Sequence, residues 1–228
     1  MTAIIQLQDV WKIYDLGEVK VNALTGLKLE IKKGEFVSIM GPSGSGKSTA
    51  VNMVGCLDLP TRGRILLGGR DIAKLSESHL AQIRGKMIGF IFQQFNLIPT
   101  LTAKQNVMLP MMFQNIQEGK RIARAEELLT MVDLQDRFSH KPTELSGGQQ
   151  QRVAIARALA VNPEVILADE PTGNLDSKTG LNVMTFLKDL NKKEGKTIVM
   201  VTHDAAVAKT ADRTVYLKDG HIVRRLTK

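Results

Sequence analysis

One cysteine, Cys56, is present among 228 residues, which excludes an internal disulfide and suits a reducing compartment. It falls after the first expected helix among apolar neighbours, so packing accounts for it better than reactivity does. Aromatic residues make up only 4% of the chain, and no basic run is interleaved with them, so there is little material for stacking on bases. No stretch approaches the roughly 18 uninterrupted apolar residues of a membrane span. Residues 1–6 carry no basic region ahead of their apolar residues, so no secretory signal is expected. Internal repeats, low-complexity tracts and flexible linkers are missing as well. The expectation is a cytoplasmic globular chain.

What remains is ordinary in bulk and uneven in charge. Hydrophobic residues are 43% and charged residues 24%, enough to bury a sizeable core. The net charge of +8 is spread over three regions: Arg62, Arg64, Arg70, Arg84 and Lys86; Lys120, Arg121 and Arg124; and Arg224, Arg225 and Lys228. A solvated surface explains that spread, and contact with an anionic membrane surface remains open. With so few aromatics, no nucleic-acid partner is expected.

Taken in order, residues 4–14 alternate apolar and polar residues and predict a strand with one exposed face. Residues 27–31 repeat the pattern, and Lys33-Gly34 marks a turn before the apolar run 36–40. Arg64 to Leu67, followed by Gly68-Gly69, predicts a hairpin arm, and 88–92 a short buried strand. From about Thr102 to Val161 the spacing turns helical, over 103–108, 122–132 and 149–161, with Pro99, Pro110 and Pro142 as punctuation. Parallel-sheet patterning resumes at 165–168 and 197–202, joined by a crossover helix over about 177–193. Residues 213–217 and 221–224 close the chain as a hairpin.

The chemistry concentrates in three places. Residues 41–48 read Gly-Pro-Ser-Gly-Ser-Gly-Lys-Ser, a G-x-x-x-x-G-K-[ST] pattern between an expected strand and an expected helix. Gly41, Gly44 and Gly46 allow successive N–H groups to converge on phosphate oxygens. Lys47 adds a mobile positive charge and Ser48 a hydroxyl for Mg²⁺ at a helix N-terminus. Ser43, Ser45 and Thr49 complete the candidate nucleotide-binding residues of this loop. The second place is Asp169-Glu170 at the end of the apolar run from Val165. Adjacent side chains on a strand point to opposite sides, so the two carboxylates take different tasks. Asp169 would serve Mg²⁺ and Glu170 the water attacking a γ-phosphate. The third is Leu145-Ser146-Gly147-Gly148-Gln149 before a helix. Ser146 can cap that helix, and the glycines bare its amides, which makes a second anion site.

Together these motifs resemble the nucleotide-binding subunit of an ABC (ATP-binding cassette) transporter, along nearly the whole chain from Tyr14 onward. The resemblance implies an α/β fold: a P-loop NTPase core with a mainly parallel sheet, an N-terminal antiparallel β subdomain and a helical subdomain inserted over about 102–161. Residues 1–228 would form a single nucleotide-binding domain. It also implies an ATPase using ATP and Mg²⁺. Tyr14 would stack on adenine. Gln93 would link the metal and attacking water to the membrane partner. His203 would contact the γ-phosphate and support Glu170. Asp176 would shape the opposed site of a homodimer, in which Ser146, Gly147, Gly148 and Gln149 of one copy close over ATP on the other. One departure shows: Asn174 stands where many relatives have serine.

Residues 55–63, 92–103 and 169–180 are similar to lipoprotein-releasing and macrolide-export ATPases, which implies a separate transmembrane permease and a position on the inner face of the cell membrane. A rival reading is an ATP-gated signalling or mechanotransmission module that moves no cargo; it would share every motif. A DNA-repair or translation ATPase would need coiled coils, zinc cysteines or a second cassette, which the sequence does not contain. Asn106 to Phe113, with three methionines and a phenylalanine, fits either an adaptable groove for a permease helix or ordinary core.

Overall fold

The computed structural model describes residues 2–223 apart from 16 and 18, so Met1, Arg224, Arg225 and Lys228 of the sequence argument lie outside the described residues. The chain divides into two compact units, residues 1–84 with 188–228 and residues 85–187.

In the first unit, β1 (Ala3–Asp15) and β2 (Lys20–Lys32) pair antiparallel. β2 is longer than the alternation over 27–31 predicts, because Lys20, Val21 and Asn22 are all exposed and give no buried face to read. β3 (Phe36–Met40) is buried at every position and leads through the phosphate loop to α1 (Lys47–Val54). β4 (Arg62–Leu67) pairs with β1 and turns through Gly68-Gly69 into β5 (Arg70–Asp71), which gives the expected hairpin arm a second strand of only two residues.

The β1 ladder breaks at Asp9, whose φ of 53° opens a bulge between Leu7 and Val10. Gly63 of β4 lies against that bulge with φ +85°, and a Cβ there would stand 2.1 Å from the Asp9 carbonyl oxygen. Gly63→Ala should therefore lower stability by on the order of 2 kcal/mol, read as a shifted denaturation midpoint.

α2 (Glu77–Met87) is a helix that the sequence reading missed. It buries only Leu80, so no apolar stripe announces it. In the second unit, β6 (Ile88–Ile91) pairs parallel with β7 (Val165–Asp169), from Ile88 opposite Val165 to Ile91 opposite Ala168. Between them run α3 (Ala103–Phe113), α4 (Glu118–Met131) and α5 (Gly147–Leu159). Pro110 lies inside α3 rather than ending it. Proline removes one N–H and disfavours a helix interior. Here burial holds the segment: Val107, Met108 and Met111 are core, and Asn106 Nδ2 donates to the carbonyls of Ile98, Leu101 and Thr102. α6 (Ser177–Glu194) follows.

The chain passes back into the first unit at Lys188, within α6, and continues through β8 (Thr197–Val201), α7 (Ala205–Ala208), β9 (Arg213–Lys218) and β10 (His221–Val223). β3 pairs parallel with both β8 and β9, and β10 closes antiparallel on β9. Fully buried β3 and β8 are what parallel strands covered on both faces require.

Two carboxylates brace the start of β3. Glu35 accepts from Arg213 Nε at 2.5 Å and from the Lys32 N–H at 2.9 Å. Asp212 accepts from the Phe36 N–H at 3.0 Å and from Lys192 Nζ at 2.6 Å. Burial pushes both acids upward, but these donors outweigh it and hold each below its ordinary value. A lowered folded-state value means stability that is complete above the ordinary carboxylate range and lost as pH falls through the lowered values. Unfolding followed from neutral to acid pH should show that loss, and Glu35→Gln should flatten it; an unchanged acid limb in the variant would refute the assignment.

Candidate functional site

The loop after β3 is shaped by close approach. Gly44 and Gly46 adopt φ +78° and +96°, a region closed to most side chains. A Cβ on Gly46 would stand 2.4 Å from the Ala23 carbonyl oxygen, and one on Gly41 2.2 Å from that of Leu217. Strands on either side thus press the loop into a cradle that side chains would fill. Gly220 N–H donates to the Ser45 carbonyl, and Ser45 N–H to that of Pro42. Lys47 Nζ arches back to the Gly41 and Pro42 carbonyls, 2.8 Å from each. Ser43, Gly44 and Ser48 are exposed, whereas Ser45 is buried with an Oγ that has no hydrogen-bond partner among the described residues. Thr49, half-buried in the first turn of α1, completes the loop residues singled out in the sequence.

Two further predicted residues belong to this unit. Tyr14 donates its hydroxyl to Asp58 at 3.1 Å, and Lys12, itself paired with Asp58 at 2.6 Å, lies 5.0 Å from the ring centroid. One ring face is therefore taken by a cation, and the tyrosine is fixed at its far end. His203 is exposed just past β8. Asp204 beside it caps α7 by accepting from the Ala206 N–H at 2.6 Å.

The second unit gathers the other candidates. Asp169 ends β7, and Glu170 follows with φ 47°, a left-handed backbone that is uncommon for a non-glycine residue. The reversal is closed by Gly173 N–H donating to the Glu170 carbonyl at 3.0 Å. Asn174 Nδ2 donates to the Gln93 carbonyl at 2.8 Å, so this departure from serine ties the two loops together. Asp176 is exposed and accepts from Thr179 Oγ1 at 2.6 Å and from the amides of Lys178 and Thr179. Those bonds, led by the Thr179 hydroxyl, lower its pKa and make it the cap of α6.

α5 begins with the predicted cap. Ser146 Oγ accepts from Gln149 N–H at 3.3 Å, and Gln149 Oε1 accepts from Ser146 N–H at 2.9 Å, a reciprocal box. Gly148 packs on Thr179, where a Cβ would come within 2.6 Å of Cγ2; Gly147 has room for one. Further along, Gln151 Nε2 donates to the Pro171 carbonyl at 2.7 Å, and Arg157 donates to the carbonyls of Phe95 and Asn96. Burial lowers the pKa of Arg157.

The structure thus collects Gln93, the Ser146–Gln149 tip, Asp169, Glu170 and Asp176 in one unit, and the phosphate loop, Tyr14 and His203 in the other. Asp58, Gln151 and Arg157 were missed. For Gln151 a signal existed: it fills the first slot of the buried helical series 151, 154, 155 and 158, where an apolar residue is expected.

For Mg²⁺, the hydroxyl of Ser48 and the carboxylate of Asp169 are hard oxygen donors of the right type. No group of three or more His, Cys, Asp or Glu side chains converges among the described residues.

The ABC transporter family matches residues 24–173. The ABC transporter ATP-binding protein MJ0796 of Methanocaldococcus jannaschii is 56% identical over 224 residues, spanning 96% of this chain and 95% of that one. One chain of its dimeric post-hydrolysis structure, bound to ADP and Pi, matches this chain with a TM-score of 0.90 over 96% of this chain and 97% of that one, at 54% identity. The macrolide export ATP-binding/permease protein MacB of Brucella melitensis is 48% identical over 99% of this chain, which corresponds to 35% of the MacB length. The chain belongs to the ABC transporter family, as an ATP-binding subunit and an ATPase.

Proposed function

We propose that two copies of this ATPase meet head to tail around two MgATP and drive a separate membrane permease of the lipoprotein-releasing or macrolide-export kind, working on the inner face of the cell membrane. The observation that carries this reading is the tip of α5: Ser146 and Gln149 satisfy each other, while Gly147 keeps room above it. That helix end is a second anion-binding end in a chain whose phosphate loop already supplies one, and a second copy gives it a nucleotide to cover.

The roles follow from chemistry. The loop amides from Gly41 to Thr49 and the Lys47 ammonium hold the phosphates, with Ser43 and Ser45 beside them and Tyr14 offering its remaining face to adenine. Ser48, Asp169 and Gln93 are the residues that would hold Mg²⁺. The chemistry such an ion would supply is Lewis-acid stabilisation of the negative charge that develops during phosphoryl transfer. Glu170 orients or deprotonates the attacking water, and His203 steadies the γ-phosphate. The opposed Ser146 to Gln149 and Asp176 complete the pocket, so catalysis is largely electrostatic.

The permease side is supported by the end of α3, where Met112 and Phe113 are 47% and 77% exposed while Met108 and Met111 are core. Among the described residues no helix is long and apolar enough to cross a membrane. Tagged protein solubilised from native membranes should carry a permease subunit, and Phe113→Ser should weaken that association at least tenfold with ATPase turnover retained. Recovery without any membrane protein would overturn the permease assignment.

A further inference from the structure

Glu170 holds an unfavourable left-handed backbone, and such a conformation persists only where neighbouring contacts over-determine it. Three constraints act on the turn. Pro171 fixes the next φ, and Gly173 N–H closes on the Glu170 carbonyl. The third is Gln151, 1% exposed, whose Nε2 donates to the Pro171 carbonyl at 2.7 Å. Gln151 Oε1 is buried with no hydrogen-bond partner among the described residues. An amide is costly to bury half-satisfied, so packing alone would favour an apolar side chain in that helical slot. Its neighbours in the same stripe, Ala154, Ile155 and Ala158, are apolar.

We infer that Gln151 is a positioning residue for ATP hydrolysis: it clamps the Glu170–Gly173 turn onto α5 and so sets where the Glu170 carboxylate points. The inference rests on the reading of Glu170 and Ser146 given above. Gln151 is five residues from Ser146 on the same helix, about 7.5 Å along the axis at 1.5 Å per residue. Arg157, further along, holds the Phe95 and Asn96 carbonyls that follow Gln93. One rigid helix therefore joins the tip that covers the twin's nucleotide to the turn that carries this chain's own carboxylate. Occupancy of one pocket is felt at the other through Gln151.

The test is Gln151→Met, which keeps volume and removes the donor. Misplacing a catalytic group by about 1 Å costs roughly 100-fold, so kcat should fall 10- to 100-fold. KM for ATP should stay within about twofold, the Hill coefficient should move toward one, and ATP-dependent dimerisation in a Glu170→Gln background should persist. Unchanged kcat overturns the inference. So does a parallel loss of kcat, ATP affinity, dimerisation and thermal stability, which would mark Gln151 as structural only. Should Gln151→Met not yield soluble protein, Gln151→Asn draws the same amide back by one methylene, and the same kcat-selective loss is expected. If wild-type protein neither turns over ATP nor dimerises after Glu170→Gln, the functional reading itself fails; if it does both and the Gln151 variants match it, only this inference falls.

Discussion

Glu170→Gln should bind ATP, lose turnover by about 10²- to 10⁴-fold and accumulate as a dimer on size-exclusion chromatography with MgATP. The substitution is nearly isosteric, so the left-handed turn at φ 47° keeps its shape and only the carboxylate is lost. Two effects then act together. The water is no longer oriented or deprotonated, so the nucleotide clamped between two copies survives. On the proposed reading a negative charge beside the γ-phosphate would also be removed, which would strengthen the clamp. Elution as monomer alone in ATP would contradict the head-to-tail reading, and near-normal turnover would remove Glu170 from the chemistry.

Lys47→Ala should weaken ATP binding about 10- to 100-fold, the scale of one to two hydrogen bonds to a charged group. It should reduce turnover by at least a further 10²-fold, because charge on the transferring phosphoryl group grows in the transition state. The ammonium also donates to the Gly41 and Pro42 carbonyls, so the variant loosens the loop as well as removing the charge. Thermal unfolding of the variant separates these effects: a small shift in Tm with a large loss of affinity assigns the effect to phosphate binding. Unchanged ATPase kinetics would exclude this loop as the site.

Much of the architecture is legible in the sequence, for physical reasons that differ between elements. β3, β7 and β8 were legible because strands covered on both faces are continuous apolar runs. The phosphate loop and the α5 cap were legible because each constrains residue type at fixed spacing. α2 was not, since it buries one side chain and leaves no stripe. The reach of α3 past Pro110 was not, since the contacts that outweigh the proline come from Asn106 to a loop not yet placed in space. The site divides in the same way. The residues proposed to meet a nucleotide carry a motif, whereas Gln151, Arg157 and Asp58 hold backbone or side chain in place, and hydrogen bonds to carbonyls leave no periodic trace. The carboxylate of Asp176 also caps α6, a duty that spacing alone does not reveal.

Cys56 is fully buried at φ 54°, and burial lifts its thiol pKa to about 11, so almost no thiolate exists at neutral pH. The native sulfur is in effect silent toward maleimides. A single cysteine introduced at an exposed position, such as Lys178, would take up a spin label or fluorophore alone, and the parent sequence can serve unaltered as the background for measuring distances within a nucleotide-bound pair.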